Sequence, residues 1–209
     1  MKWADIFFIH HFLTKTKPKG NISIKLQSGI KKVNFVTMRK LGVTELNRLS
    51  QEEVKEAKKA PFVVVLDNIR SLNNVGSAFR TSDAFGIEKI VLCGITGTPP
   101  HRDIHKTALG AQETVEWEYA ESTKIAIEKL KLEGYKIALI EQIDTSISLE
   151  KYSSSKEEPT ALVFGNEVFG VSEDVLELAD VAIEIPQFGA KHSLNVSVTI
   201  GVVLWQAIH

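Results

Sequence analysis

The chain has 209 residues, of which 44% are hydrophobic and 24% charged, and its formal net charge is -1. These values are typical of a globular protein with one sizeable domain and exclude collagen-like, mucin-like and wholly disordered chains. The N-terminal apolar stretch from Ile6 to Leu13 contains two histidines and no cleavage site, which argues against a membrane span or a secretory signal. The single cysteine, Cys93, cannot form an internal disulfide, which favours a cytoplasmic location.

The charge is distributed unevenly along the chain. Residues 1–40 hold nine basic side chains and one acidic side chain, a net charge of +8, which leaves -9 for residues 41–209. A basic N-terminal segment of this kind either binds nucleic acid through its positive charge or is a solvated tail, and its composition favours the tail. Residues 14–34 show neither a convincing helical stripe nor a long strand, and Met38 resembles a natural start. We therefore expect residues 1–37 to be a basic N-terminal extension, weakly ordered or not native, without a packed core.

Residues 38–60 predict a short helical lead-in to the main domain. Ser50 and Glu53 have the spacing of a capping box. Thr44 is a weaker helix start, because Asn47 stands where a box requires Glu or Gln. We expect one or two short helices that end before Pro61.

Strand and helix patterns alternate over residues 61–209. Phe62–Leu66 is an uninterrupted apolar run, which indicates a strand buried on both faces. Further strands are predicted at Lys89–Cys93, Thr114–Trp117, Tyr135–Ile140, Thr160–Phe164 and Val181–Ile185. Amphipathic helices are predicted at Asn74–Phe85, Ser122–Glu133 and Ser172–Leu178. The alternation predicts an α/β fold with a mainly parallel sheet and helices on both faces, and the hydrophilic segment Asp144–Pro159 is expected to be a surface loop.

The C-terminal segment allows two interpretations. Apolar residues occupy every second position from 194 to 200, which alone predicts a strand. Ser193 could instead cap a helix whose apolar face continues through Val203, Leu204 and Ile208. The pattern does not decide between them.

The sequence motifs of several common enzyme classes are absent from this chain. The sequence has no G-x-G-x-x-G and no phosphate loop ending in G-K-[ST], so dehydrogenases and ordinary NTPases are excluded. His101 and His105 with Asp103 lack the further ligands of a metal site, and an RNA-facing or plain surface role is favoured. We expect no metal.

Three polar segments directly follow predicted strands, after Leu66, Phe164 and Ile185. Ligands bind at the carboxyl ends of strands in open α/β sheets, so the three segments would converge on one crevice. Each segment alone has a structural explanation, such as Asn73 or Asn74 capping a helix. Together they resemble the three signature motifs of the SpoU (TrmH-type) branch of the SPOUT RNA methyltransferases. The matching residues are Asn74-x-Gly76-x-x-x-Arg80, Gly165-x-Glu167-x-x-Gly170, and Ile185-Pro186 with Ser193-Leu194-Asn195-Val196.

The resemblance covers about residues 61–208 and implies a fold and a cofactor. The C-terminal part would pass through a loop to form a trefoil knot, and the segment from Ser193 would be a helix in the knot and in a homodimer interface. S-adenosylmethionine would lie in the knot, held mainly by backbone groups. The residues implied at the cofactor are Gly165, Ile185 and Leu194, with Glu141 and Gln142 lining the cleft and Glu167 supporting the loop or facing the sulfonium charge.

The resemblance also implies methyl transfer to a ribose 2′-hydroxyl of RNA. We favour tRNA over rRNA, because no counterpart is seen of the ribosomal-protein-like domain of some rRNA-modifying relatives. A guanidinium is a reluctant base, so we expect Arg80 to bind the adjacent phosphate and stabilise the developing alkoxide. The other implied residues are Asn74, Ser193 and Asn195, which would orient the ribose, and His101, Arg102 and Lys106, which would contact RNA beside Arg80.

Two features of the sequence leave alternatives open. His192 stands where many relatives have Glu or another residue, and residues 38–209 carry a net charge of -7, so RNA binding must use a local basic patch or the N-terminal arm. The alternatives are a catalytically silent RNA-binding protein of the same fold and an RNA base methyltransferase.

Overall fold

The computed structural model describes residues 20–26, 29–35, 38–154 and 158–209, and the chain divides into two units, residues 1–48 and 49–209. In the first unit, strand β1 (Gly20–Leu26) pairs antiparallel with β2 (Gly29–Phe35), with Ile22 opposite Val33. The sequence interpretation of this region, which found no long strand, is wrong. The strands follow the alternation of apolar and polar residues from Asn21 to Leu26. The remainder of the extension lies outside the described residues, and its lack of a packed core stays a prediction.

The lead-in contains a 3-10 turn, Val43–Leu46, and helix α1 (Gln51–Glu56). The turn begins after Gly42 and not at Thr44, because the Glu45 carboxylate accepts the Gly42 N–H at 2.7 Å and so supplies the N-terminal acceptor. The capping box of α1 is confirmed: Ser50 Oγ accepts the Glu53 N–H at 3.2 Å, and Glu53 Oε2 accepts the Ser50 N–H at 2.7 Å.

The second unit is built on a seven-stranded sheet in the order β5-β4-β3-β8-β6-β9-β7, and all its pairings are parallel. The strands are β3 (Ala60–Asp67), β4 (Ile87–Cys93), β5 (Glu116–Ala120), β6 (Lys136–Ile140), β7 (Ile147–Ser148), β8 (Thr160–Phe164) and β9 (Val181–Glu184). The predicted parallel α/β sheet is confirmed. Strand β5 begins later than predicted, because Thr114 closes a 3-10 turn by donating to the Ala111 carbonyl.

Helices cover both faces of this sheet, as predicted. One apolar core contains Phe62, Val64 and Leu66 of β3 and the buried residues of α2 (Leu72–Ala84), α3 (Arg102–Ala108) and α5 (Val196–Ile208). The other contains Val63 and Val65 with helix α4 (Thr123–Leu132). The helix predicted at Ser172–Leu178 is a 3-10 turn, Glu173–Leu178, whose bonds span three residues, as from Val175 N–H to the Ser172 carbonyl. Among the described residues, no helix combines the length and apolar content needed to cross a bilayer.

Two further segments differ from what their sequence patterns predict. The last segment is helix α5, as the resemblance implies, and Asn195 caps it by accepting the Ser197 N–H at 2.9 Å, so the strand and a cap at Ser193 are wrong. Its buried residues have the i, i+4, i+7, i+8, i+11 spacing of one helix face: Val196, Ile200, Val203, Leu204 and Ala207. The segment expected as a surface loop contributes strand β7, and it buries Leu149 and Tyr152 against the core.

Candidate active site

The predicted cofactor residues line one cleft at the carboxyl edge of the sheet. Strands β3, β8, β6 and β9 are neighbours there, so the loops that follow them meet. The cleft has a volume of about 490 Å³. The predicted site residues among its walls are Glu141, Gln142, Gly165, Glu167, Ile185, Ser193 and Leu194. The structure therefore brings the second and third motifs together.

The second motif forms a tight loop whose glycines are required by its own backbone. Asn166 and Gly170 exchange backbone hydrogen bonds of 2.8 and 2.9 Å across the loop. A Cβ on Gly165 would lie 2.2 Å from both the Gly170 carbonyl carbon and the Val171 nitrogen. Gly170 has a φ of +71°, which favours glycine. The resemblance implies close approach of the cofactor at Gly165, and the structure adds that the loop itself excludes a side chain there.

Glu141 supports this loop from the end of strand β6. Its Oε2 accepts the Val171 N–H at 2.9 Å and its Oε1 accepts the Gln142 N–H at 2.8 Å. The Gln142 amide in turn donates to the His192 carbonyl at 3.2 Å. Glu141 and Gln142 together therefore connect the loops of the second and third motifs, and both loops border the cleft.

Two supporting residues, Asp67 and Asn166, were not singled out from the sequence. Asp67 is fully buried at the end of β3, and its carboxylate accepts the Ser172 N–H at 2.7 Å and the Thr123 hydroxyl at 2.5 Å. The Asn166 amide donates to the Asn68 carbonyl at 2.7 Å. A carboxylate at the end of an otherwise apolar buried strand was the available signal for Asp67, because buried charges require partners.

One side chain from each motif joins a continuous chain of hydrogen bonds. Asn74 Nδ2 donates to Glu167 Oε1 at 2.9 Å, and Asn195 Nδ2 donates to Asn74 Oδ1 at 3.3 Å. The Asn195 Oδ1 atom is already occupied by the capping bond to Ser197. Both asparagine amides are therefore fixed in orientation, at the side of the cleft formed by Glu167.

The first motif lies on helix α2. Ser71 caps this helix by accepting the Asn74 N–H at 3.3 Å, so the alternative explanation of Asn73 or Asn74 as the cap is wrong. Gly76 allows α3 to pack closely, since a Cβ there would lie 2.3 Å from the Ile104 carbonyl oxygen. The motif glycine thus sets the distance between the two helices.

Arg80 and the predicted RNA-binding residues lie outside the cleft. Arg80 is exposed on α2, and within the described ranges it forms no hydrogen bond or ion pair. His101 caps α3 by accepting the Asp103 N–H at 3.1 Å, and Arg102 and Lys106 are exposed one turn apart on that helix. Since α3 packs against α2, these basic residues lie on helices adjacent to each other.

The cleft is acidic. Its ionisable lining residues are three carboxylates, Glu141, Glu167 and Glu184, together with His192, and none of the described lining residues is Lys or Arg. Such a site favours a cationic ligand over an anionic one. In the described part of the chain, no group of three or more His, Cys, Asp or Glu is arranged to hold a metal ion.

Comparison with known proteins gives the family. The model of the SpoU rRNA Methylase family matches residues 61–205. The chain belongs to the SpoU methylase family. A tRNA (guanosine(18)-2′-O)-methyltransferase from Thermus thermophilus is 33% identical over 164 residues, which cover 78% of this chain and 82% of that protein.

Solved structures of SpoU proteins share the fold. The crystal structure of an Aquifex aeolicus TrmH/SpoU tRNA modifying enzyme matches with a TM-score of 0.66 and 28% identity, covering 76% of this chain and 78% of that one. The structure of an AdoMet-bound rRNA methyltransferase from Sinorhizobium meliloti matches with a TM-score of 0.66 and 25% identity, covering 73% of this chain and 58% of that one. The SpoU fold is thus confirmed, and passage of the chain through a knot stays a prediction.

Proposed function

We propose that this SpoU protein transfers a methyl group from S-adenosylmethionine to a ribose 2′-hydroxyl of RNA, with tRNA favoured over rRNA. The observation that carries the proposal is the chain of hydrogen bonds that joins Asn74, Glu167 and Asn195 beside the cleft. The names of relatives support the substrate: the Thermus protein acts on the 2′-oxygen of guanosine 18 in tRNA.

The cleft fits S-adenosylmethionine in size and charge. Its volume of about 490 Å³ lies in the range of small-molecule sites, and its carboxylates match a cationic sulfonium. When bound, S-adenosylmethionine supplies a methyl group on a positively charged sulfur. Backbone groups of Gly165, Ile185 and Leu194 would hold it, and Glu141 would keep the second-motif loop in place.

Asn74 and Asn195 are suited to orient the ribose. Each amide nitrogen has two hydrogens, and in each residue one is used in the chain described above. Among the described residues, the second hydrogen of each has no recorded acceptor and would be available to a ribose oxygen, and Ser193 lines the same cleft. Fixed donors of this kind lower the barrier by holding the hydroxyl in a reactive orientation.

Arg80 would act on the RNA backbone. A guanidinium binds phosphate through paired hydrogen bonds, and its charge stabilises an oxygen that becomes negative. His101, Arg102 and Lys106 would extend this basic surface along α3. Because the cleft is acidic and the RNA is anionic, this exposed basic surface accounts for RNA binding where the cleft cannot.

We further propose a homodimer that brings Arg80 of one subunit to the cleft of the other. Arg80 lies outside the cleft of its own chain, which supports a site completed by a second copy. An apolar groove of about 500 Å³ borders α5 and is lined by Phe85, Pro186, Val202 and Trp205, of which Trp205 is 59% exposed. A second copy of this helix would cover that surface.

The domain boundaries and location follow the same proposal. Residues 61–209 would form the methyltransferase domain, residues 38–60 a helical lead-in, and residues 1–37 an extension that catalysis does not need. We place the protein in the cytoplasm with its RNA substrate. Deletion of residues 1–37 is expected to leave S-adenosylmethionine affinity and the unfolding free energy unchanged, as measured by calorimetry and urea titration.

The test is transfer of labelled methyl from S-adenosylmethionine to unmodified tRNA and rRNA transcripts, followed by nucleoside analysis. We expect a 2′-O-methylnucleoside with the wild type and at least a hundredfold slower transfer with Arg80→Ala, with Arg80→Lys as the charge-retaining control. A base-methylated nucleoside, or RNA binding without any transfer, would contradict the proposal.

A further inference from the structure

An aromatic ring stands exposed in the second-motif loop. Phe169 lies two residues after Glu167, and its side chain is 76% exposed although the residue lines the cleft. The Arg70 guanidinium lies 5.8 Å from the centre of the ring, within the range of a cation–π contact. Neither the fold nor the proposed roles of the motif residues use this pair.

The Phe169–Arg70 pair is held in place by hydrogen bonds on both loops. Asn166 Oδ1 accepts the backbone N–H groups of Val168 and Phe169 at 2.8 and 3.2 Å. The Asn166 amide donates to the carbonyl of Asn68, two residues before Arg70. The loops after β3 and β8 are therefore tied together beside the pair, and the backbone that carries the ring is fixed by these bonds.

We infer that the Phe169–Arg70 pair binds a nucleobase of the RNA substrate by stacking, next to the ribose that is methylated. This inference rests on the proposed function and adds a subsite to it. Proteins recognise unpaired RNA bases by stacking them on aromatic rings and guanidinium planes. Glu167, two residues away, binds the Asn74 amide assigned to the ribose, so a base on Phe169 adjoins that sugar.

The charges around the cleft favour this mode of binding. The carboxylates that line it repel phosphates, so RNA contact at this point must come from uncharged surface or from an added cation. Phe169 supplies the uncharged surface, and Arg70 supplies the positive charge. Phenylalanine has no hydrogen-bonding group, so the ring holds the base without selecting among the four bases.

The experiment compares Phe169→Leu and Phe169→Tyr with the wild type. Leucine keeps the apolar bulk and removes the ring, whereas tyrosine keeps the ring. Binding of a fluorescein-labelled unmodified tRNA transcript is measured by anisotropy, S-adenosylmethionine binding by calorimetry, and methyl transfer by kcat and KM for RNA. Leu132→Ala, an exposed apolar truncation at the far end of α4, is the matched control.

We expect Phe169→Leu to weaken tRNA binding about 5- to 150-fold, since one stacked base contributes that much. Phe169→Tyr and Leu132→Ala should bind like the wild type, and S-adenosylmethionine affinity should not change in any variant. Wild-type RNA affinity for Phe169→Leu overturns the inference. A parallel loss of S-adenosylmethionine affinity would assign the ring to the cofactor site, and a change in sedimentation would assign it to a subunit interface. Either result also overturns the inference.

The outcomes separate this inference from the proposed function. Failure of the wild type to methylate any RNA contradicts the proposed function, while anisotropy still tests the stacking contact on bound RNA. A wild type that binds no RNA contradicts both. Methyl transfer that is unchanged in Phe169→Leu at limiting RNA contradicts the stacking contact alone.

Discussion

Replacement of Gly165 by alanine is expected to disrupt the cofactor cleft. The new Cβ would lie 2.2 Å from the Gly170 carbonyl carbon and from the Val171 nitrogen, whereas ordinary contacts of a Cβ begin at 3.4 Å. The loop backbone must therefore move by about 1 Å, which strains the 2.9 Å bond from Val171 to Glu141. Overpacking of this kind typically costs about 1–3 kcal/mol. If the loop must return to its original position to bind the ligand, S-adenosylmethionine affinity falls about 5- to 150-fold.

Calorimetric titration with S-adenosylmethionine measures this loss, and urea titration shows whether the variant remains folded. Gly189→Ala is the matched control, because a Cβ added at Gly189 would have no atom of the described residues within 4 Å, apart from those of its chain neighbours. We expect the control to bind like the wild type. Wild-type affinity in a folded Gly165→Ala protein would refute the requirement for glycine in the loop, and an equal loss in Gly189→Ala would show that the effect is not specific to it.

Three other predictions concern stability, reactivity and assembly. Asp67→Asn should lower the unfolding free energy, measured by urea titration, by about 1.5–3 kcal/mol, because the hydrogen bonds of Asp67 involve a buried charge. The control Asp144→Asn, at an exposed position, should change it by less than about 0.5 kcal/mol. Equal effects would contradict the role of Asp67. Burial raises the pKa of Cys93 to about 12, so iodoacetamide at pH 8 should modify this thiol only after the protein unfolds. The free energy of unfolding should fall as the pH rises above about 9, because only the unfolded thiol ionises there. Rapid labelling of the folded protein would contradict this. Trp205→Ala should weaken the proposed dimer by about 2 kcal/mol, observed as a shift to monomer in sedimentation, and unchanged sedimentation would exclude Trp205 from the interface.

The parallel sheet was predictable because its signals are local, whereas the cleft residues were predicted only through the resemblance of the three motifs to those of the SpoU family. Strands such as Phe62–Leu66 are continuous apolar runs, and the Ser50–Glu53 box depends on residues three apart. The cap of α5 was less accessible, since Ser193 and Asn195 are both good capping residues. Only the position of the first buried residue of the helix, Val196, indicates that Asn195 and not Ser193 is the cap.

The features that the sequence did not predict depend on contacts between distant parts of the chain. Asp67 bonds to Thr123 and Ser172, which are 56 and 105 residues away, and no local pattern identifies such partners. Leu149 and Tyr152 lie in a hydrophilic segment, so their burial depends on the neighbouring sheet and on α5. Composition and periodicity do not contain this information.

The chain of Asn74, Glu167 and Asn195 makes activity a property of the completed fold. Its two hydrogen bonds join residues 93 and 121 positions apart, and contacts of such long range form late because loop closure costs entropy first. A nascent chain that ends before Asn195 has the first two motifs and all seven strands of the second unit's sheet, and yet it lacks half of the pair that would orient the ribose. Recovery of methyl transfer during refolding would therefore report docking of the C-terminal helix, and no partly active intermediate is expected.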